Sequence, residues 1–280
     1  MATIALLTDF GVDDPYVGQL KGVLASLAPQ ANIVDISHSI TPYDVHQGGF
    51  FLQASWQWFP EETVFVSVVD PGVGSSRRII GFEMDNRFFL LPDNGLGALL
   101  LSARVATVKQ LSFYDLSDFS LQDYPHAPVH LRHASTSSSF HGRDIFVPVA
   151  ALLASDYSLD SIGKKIPAEE LVTYKSIEKV LPAQSSSGTE VQVLHIDRFG
   201  NCVLSLPVDY PLPESRSIEL KGKGLQYKLS AASCYQKIPK NTVALIRGSQ
   251  GYWELAANMQ SASYILGIQQ GKVVSLSTQP

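Results

Sequence analysis

Residues Thr63–Val69 read TVFVSVV, a run without a charge and with a bulky apolar side chain at almost every place. A strand of this kind is apolar on both pleat faces and has to be covered on both. That demands a sheet packed between helices, and the flanking sequence supplies the parts. Thr3–Thr8 and Asn32–Ile36 are further short β-type runs, and Tyr16–Leu27 and Asp44–Phe59 carry apolar residues at helical spacing. Arg78–Phe82 and Arg87–Leu91 flank Asp85-Asn86, which predicts a hairpin. Asn94–Ala103 and Ile145–Ala154 read as further helices. The βαβαβ order predicts an α/β domain with a mainly parallel sheet over residues 1–176.

The last third changes character. Val191–Ile196, Asn201–Leu206, Ser217–Leu220, Leu225–Leu229 and Val243–Ile246 are short β-type runs divided by Gly, Asn, Asp and Pro. They predict a smaller antiparallel, barrel-like β domain over residues 189–280. The expected junction is Lys175–Gly188, which holds Pro182, Ser185, Ser186 and Ser187. Asp118–Ser139, rich in Ser, His and Pro, reads as a long surface loop.

Charge narrows the partners. Lys and Arg total 21 against 26 Asp and Glu, with no polybasic run, so neither nucleic acid nor an anionic membrane is expected. Cys202 and Cys234 stand apart and outside any CxxC pair. A disulfide framework and a structural zinc site are excluded, and a reducing, cytoplasmic setting fits. No apolar run reaches the ~18–20 residues that span a bilayer. The chain opens on a strand-like segment rather than a secretion signal.

Open parallel sheets bind ligands beyond the carboxyl ends of their strands. The first strand is followed by Asp9-Phe10-Gly11 and then Asp13-Asp14. Thr63–Val69 is followed by Asp70-Pro71-Gly72-Val73-Gly74-Ser75-Ser76-Arg77-Arg78, and Arg87–Leu91 by Pro92-Asp93-Asn94-Gly95. Three strand ends thus aim Asp9, Asp70 and Asp93 at one edge. Phe140-His141-Gly142-Arg143-Asp144, directly before a helix, is expected at the same cleft. Singly, each has a plain structural explanation. An Asp after a strand caps a helix or forms a turn, as Asp144 is expected to do. Gly72 and Gly74 tolerate positive φ, and a lone GxG without a Walker lysine is a weak phosphate signal. His38, His46, His126, His130 and His133 read as turn or surface histidines, Trp56, Trp58 and Phe59 as core, and Cys202 as a buried, inert strand residue. Convergence on one sheet edge favours a functional reading.

Taken together, LLTDFGVDDPYVGQLKGVL, TPYDVHQGGFFL, VSVVDPGVGSSRR, LPDNGLGAL, SSFHGRDIFVPVAALLA, IDRFGN and GSQGYWELAANMQSA resemble one family, the adenosine-forming S-adenosylmethionine hydrolases. Its superfamily also holds the S-adenosylmethionine-dependent fluorinase and chlorinase. The matching segments run from residue 6 to about residue 262. The resemblance implies a homotrimer whose active site lies between the α/β domain of one subunit and the β domain of its neighbour. It implies hydrolysis of S-adenosylmethionine to adenosine and L-methionine, with no metal or other cofactor.

Residue roles follow from the same resemblance. Asp9 matches the carboxylate that takes the ribose hydroxyls, a pairing suited to a diol. Asp70, Arg77 and His141 match the hydrolytic triad. Asp197 matches a carboxylate near the methionine ammonium, Phe199 and Asn201 residues at the adenine, and Ser249 a contact to the methionine carboxylate. Backbone at Ala257 and Asn258 matches the adenine pocket. Tyr43 stands where the fluorinase has tryptophan, and Asn94 belongs to the binding set. The fluorinase has Tyr, Thr and Tyr in place of Asp70, Arg77 and His141, and a carboxylate at position 70 opposes a halide nucleophile. Gln250 stands where the fluorinase has Arg, which implies a looser carboxylate clamp. Water held by Asp70 and His141 in line with the C5′–S bond is the expected nucleophile. The alternatives are a metal-dependent hydrolase or phosphoesterase, a non-catalytic nucleoside-binding protein, and a halogenase.

Overall fold

A computed structural model describes residues 2–186, 188–211 and 217–278, and Ser187 of the expected junction lies outside them. The chain forms two compact units, Met1–Ile177 and Glu178–Pro280.

The first unit is built on a seven-stranded sheet of β1 (Thr3–Thr8), β2 (Asn32–Ser37), β3 (Val64–Val68), β4 (Ile79–Met84), β5 (Arg87–Pro92), β6 (Phe113–Asp115) and β7 (Lys164–Ile166), in the order β2-β1-β3-β5-β4-β6-β7. The strands β2, β1, β3 and β5 are parallel. The strands β4, β6 and β7 extend the sheet antiparallel, so it is mixed. The β4–β5 turn holds Asp85 and Asn86 at φ 50° and 56°, as the two-residue hairpin requires. The short strands β6 and β7 carry too few residues to announce a period in the sequence.

Every residue of β3 is buried. Ile4, Leu6, Val64 and Val66 pack with Leu20 and Leu24 of α1 (Tyr16–Leu27) and with Val147, Val149 and Ala150 further along the chain. Those three lie on one helix, Val147–Leu153. On the opposite face, Phe65 and Phe89 stack at 5.0 Å and Phe82 and Phe89 at 5.2 Å, and Trp56 meets Phe89 edge-on. The helices α2 (Val45–Ser55) and α3 (Ala98–Ser102) lie together, and a Cβ on Gly49 would stand 2.6 Å from the Leu96 carbonyl oxygen. Glycine is what lets that backbone come so near. Trp56 is core as expected, but Trp58 is 80 % exposed, because it follows α2 on a 3₁₀ turn that points it away. Asn94–Ala103 is helical only from Ala98, since Asn94 and Gly95 are spent on the turn before it.

The loop Asp118–Ser139 includes a short helix, α4 (Val129–Arg132), and leads to α5 (Val147–Leu153). Gly142–Phe146 forms one π-helical turn directly before α5. Such turns recur at functional sites.

The second unit is an antiparallel sheet of β8 (Ala183–Ser185), β9 (Gly188–Ile196), β10 (Cys202–Pro207), β11 (Ile218–Gly222), β12 (Leu225–Leu229), β13 (Val243–Arg247), β14 (Tyr252–Ala257) and β15 (Val273–Thr278). Its main path runs β12-β11-β15-β9-β10-β14-β13, and a bridge from Ala231 to Leu245 nearly closes it. Val193, Leu204, Leu220, Leu245 and Leu255 fill the interior. Cys202 is among them, and burial pushes its thiol up to about 12, so it is inert as expected.

Candidate active site

Because β1, β3 and β5 are parallel, their carboxyl ends emerge on one edge. Asp9 follows β1, Asp70 follows β3 and Asp93 follows β5. Asp9 and Asp70 line a cavity of about 670 Å³, within the ~300–1,000 Å³ usual for small-molecule sites. Phe10, Tyr16, Tyr43, Phe140 and His141 share that lining. Asp93 departs from expectation. It is buried, and its two oxygens accept the backbone N–H groups of Val172 (3.0 Å) and Thr173 (2.8 Å) at the start of a short helix. It is a cap. Asn94 also works on backbone, donating to Val69 O at 2.9 Å and accepting from Leu96 N at 3.1 Å, and it does not line the cavity.

The residues after β3 form a tight loop. Asp70 Oδ1 accepts from Gly72 N at 3.2 Å, and Oδ2 accepts from Arg77 Nε at 2.8 Å and from Arg77 Nη2. The two side chains are 4 % and 9 % exposed. The same Nη2 reaches His141 Nδ1 at 2.9 Å, across 64 residues of sequence. A guanidinium only donates, so Nδ1 is the acceptor and the ring proton of neutral His141 sits on Nε2. Burial, and then the Arg77 charge, push the His141 pKa below its usual value. Gly74 seats this loop: at φ 77° it lies against Ser138, and a Cβ there would run into the Ser138 carbonyl oxygen.

His141 precedes the π-helical turn. Asp144 anchors the stretch before it by accepting from Ser137 N at 2.7 Å. Asp144 is held in turn by Arg143 at 2.6 and 3.0 Å, and Arg143 donates to Gln19 at 3.0 Å. Asp144 thus pins a loop instead of capping the next helix. Phe10, Tyr16 and Phe140 pack mutually, with ring centres 5.3–5.9 Å apart.

Asp9 Oδ2 accepts from Tyr43 N at 2.9 Å, where Tyr43 has φ 70° and a largely exposed ring. Burial raises the Asp9 pKa, and the nearby Asp70 charge adds to the rise. His38 is not on the surface: it is 5 % exposed and sits behind the Asp9 loop. It carries no periodic signal, since it follows β2 directly, just past a register shift that pairs Leu7 with Ser37.

In the second unit, Asp197 Oδ1 accepts from Phe199 N at 2.9 Å and Asn201 N at 2.8 Å, and Oδ2 accepts from Asn201 Nδ2 at 2.9 Å. That turn presents Phe199 77 % exposed and packs on Ser261 and Ser263. Ala257 closes β14, and Asn258 donates to Ile238 O at 3.3 Å. Ser249 lies in the turn that opens β14, a strand's length from Ala257.

The SAM hydroxide adenosyltransferase N-terminal domain family matches residues 4–163, and the C-terminal domain of the same name matches residues 191–275. A Thermus thermophilus protein named (R)-S-adenosyl-L-methionine hydrolase is 32 % identical over 99 % of this chain and 100 % of its own length. A Methanocaldococcus jannaschii protein of the same name is 30 % identical over 95 % of this chain and 92 % of its own. A fluorinase from Actinopolyspora mzabensis is 25 % identical over 98 % and 96 %. The crystal structure of an uncharacterized conserved protein from Thermotoga maritima superposes with a TM-score of 0.81 at 26 % identity, covering 98 % of this chain and 99 % of that one.

Proposed function

The chain belongs to the SAM hydroxide adenosyltransferase family, and on that footing we propose that it hydrolyses S-adenosyl-L-methionine to adenosine and L-methionine. The observation that carries the reading is the Asp70–Arg77–His141 chain, two members of which line the cavity. Water attacks ribose C5′, the C5′–S bond breaks, and its electron pair leaves with sulfur as a neutral thioether. No general acid is needed for such a leaving group; activation falls on the water. His141 Nδ1 is already taken by Arg77, so Asp70 accepts the water proton while His141 Nε2–H orients the water oxygen. Asp9 holds the ribose hydroxyls, and Tyr43 walls the nucleoside. Asp197, Phe199, Asn201, Ser249, Ala257 and Asn258 contact the remainder. Only contacts that strengthen as the C–S bond breaks raise the rate.

The test is incubation in ¹⁸O-water with the (R) and (S) sulfonium forms separately, since the relatives' names specify (R). Label in the adenosine 5′-hydroxyl, with methionine released, is expected from the (R) form. Unlabelled nucleoside, or binding without methionine release, overturns the proposal. Full activity is expected after EDTA treatment. Among the described residues no three His, Cys, Asp or Glu side chains form a cation-binding group, and Arg77 already occupies Asp70 Oδ2.

A pH dependence follows. His141 works neutral, and its pKa lies below the usual 6.5. kcat/KM is therefore expected to hold steady above pH 6.5 and fall at lower pH, where a second ring N–H would confront the guanidinium. Between the folded pKa and 6.5 the unfolded chain binds more protons, so stability also drops as pH falls through that window. An acid limb centred at or above pH 6.5 would remove His141 from this role.

We further place the protein in the cytoplasm, as a homotrimer with an inter-subunit site. No helix among the described residues is long and apolar enough to cross a membrane. Tyr43, Phe199, Tyr264 and Met259 are 73–99 % exposed, which supports a surface covered by another copy. Light scattering is expected to give three times the 30.5 kDa chain mass; a monomer would refute the trimer.

A further inference from the structure

Behind the cavity wall runs a second chain of polar side chains that no step above uses. His38 Nδ1 lies 2.8 Å from Thr8 Oγ1, with Thr8 fully buried and His38 5 % exposed. Thr8 Oγ1 also accepts from Phe10 N at 3.3 Å. The His38 carbonyl oxygen accepts from Gly11 N at 2.7 Å. His38 Nε2 stands 3.1 Å from Asp35 Oδ1, off line for a hydrogen bond, and Asp35 Oδ2 accepts from Lys21 Nζ at 2.6 Å. The directions are consistent throughout. The Asp35 carboxylate beside Nε2 favours the ring proton there, so Nδ1 accepts the Thr8 hydroxyl proton while Thr8 Oγ1 still accepts from Phe10 N.

We propose that His38 is a positioning residue for Asp9. The turn Asp9–Gly11 has two backbone N–H groups tied back to His38, one through the Thr8 hydroxyl and one through the His38 carbonyl. Asp9 lies between Thr8 and Phe10, so its carboxylate direction depends on both ties. A freed loop would still fold but would present the carboxylate to the ribose diol over a range of angles, and a two-pronged contact loses most from that. His38 does not line the cavity, so it acts only through the loop. The inference rests on the proposed ribose role of Asp9.

Discrimination between adenosine and 2′-deoxyadenosine reads the diol contact and nothing else in the site. His38→Leu and Thr8→Val are expected to weaken adenosine binding and raise KM roughly tenfold, to leave kcat within about twofold, and to shrink the adenosine preference. His38→Asn places an acceptor where Nδ1 stood and is expected to restore the preference to within about threefold of the parent. Thr8→Val keeps the side-chain shape, so it carries the test even if His38→Leu does not fold. Parental discrimination in Thr8→Val, or no recovery in His38→Asn, overturns the positioning role. Asp9→Asn separates the two claims: if it leaves discrimination unchanged, the ribose role of Asp9 fails. If Asp9→Asn abolishes discrimination while Thr8→Val keeps it, only the His38 inference fails.

Discussion

Asp70→Asn is expected to cut turnover by roughly 10³-fold while adenosine affinity changes by less than about threefold. Asparagine has nearly the same shape and can still accept the Gly72 N–H that holds Oδ1 at 3.2 Å. What it lacks is a place for the water proton, and its amide N–H also meets the Arg77 donors that Oδ2 accepts. His141 cannot stand in, because its Nδ1 faces Arg77 at 2.9 Å and its Nε2 carries the ring proton. General-base assistance is worth about 10²–10⁴-fold, and with no substitute acceptor the loss belongs in the middle of that range. Single-turnover methionine release on protein with a native circular dichroism spectrum is the measurement. A rate within tenfold of the parent would mean that positioning alone carries the reaction and that the proton passes to solvent.

The parallel half of the sheet and its reactive edge were legible because strong local signals coincide there. TVFVSVV admits only a doubly covered strand, and an Asp after such a strand has one edge to emerge on. What stayed hidden depends on contacts remote in sequence. Asp93 looks like Asp70 in the sequence, and only the packing of Val172 and Thr173 onto it turns it into a cap. His38 carries no periodic signal: it lies just past a register shift that pairs Leu7 with Ser37, and it is 5 % exposed. In the second unit, β14 (YWELAA) is buried at every residue, so it shows no two-residue alternation, and Glu254 breaks the short apolar run that would otherwise mark it. The link from Arg77 to His141 spans 64 positions, a distance over which spacing says nothing. Resemblance to a family named those residues; the hydrogen-bond directions support the separate tasks proposed for them.

Arg77→Ala is expected to damage stability and turnover together, and the two effects can be separated. The guanidinium bridges Asp70 Oδ2 and His141 Nδ1, with side chains 9 % and 4 % exposed across the ion pair. Deleting it strands a buried carboxylate, which costs about 3–5 kcal/mol. At about 2–4 °C per kcal/mol for a unit of this size, Tm should fall by roughly 10 °C. Turnover should drop by about 10²-fold or more, since Asp70 and His141 lose their common tether. The double variant Asp70→Asn with Arg77→Ala removes the stranded charge and should melt higher than Arg77→Ala alone, although it is no more active. Arg77→Lys keeps a charge but has one nitrogen where the bridge uses two, Nε and Nη2. It should recover part of the Tm and little of the rate. Full turnover in Arg77→Lys would show that charge suffices and that the fork between the two partners is dispensable. A double variant no more stable than Arg77→Ala would show that the Asp70 carboxylate is not the source of the instability.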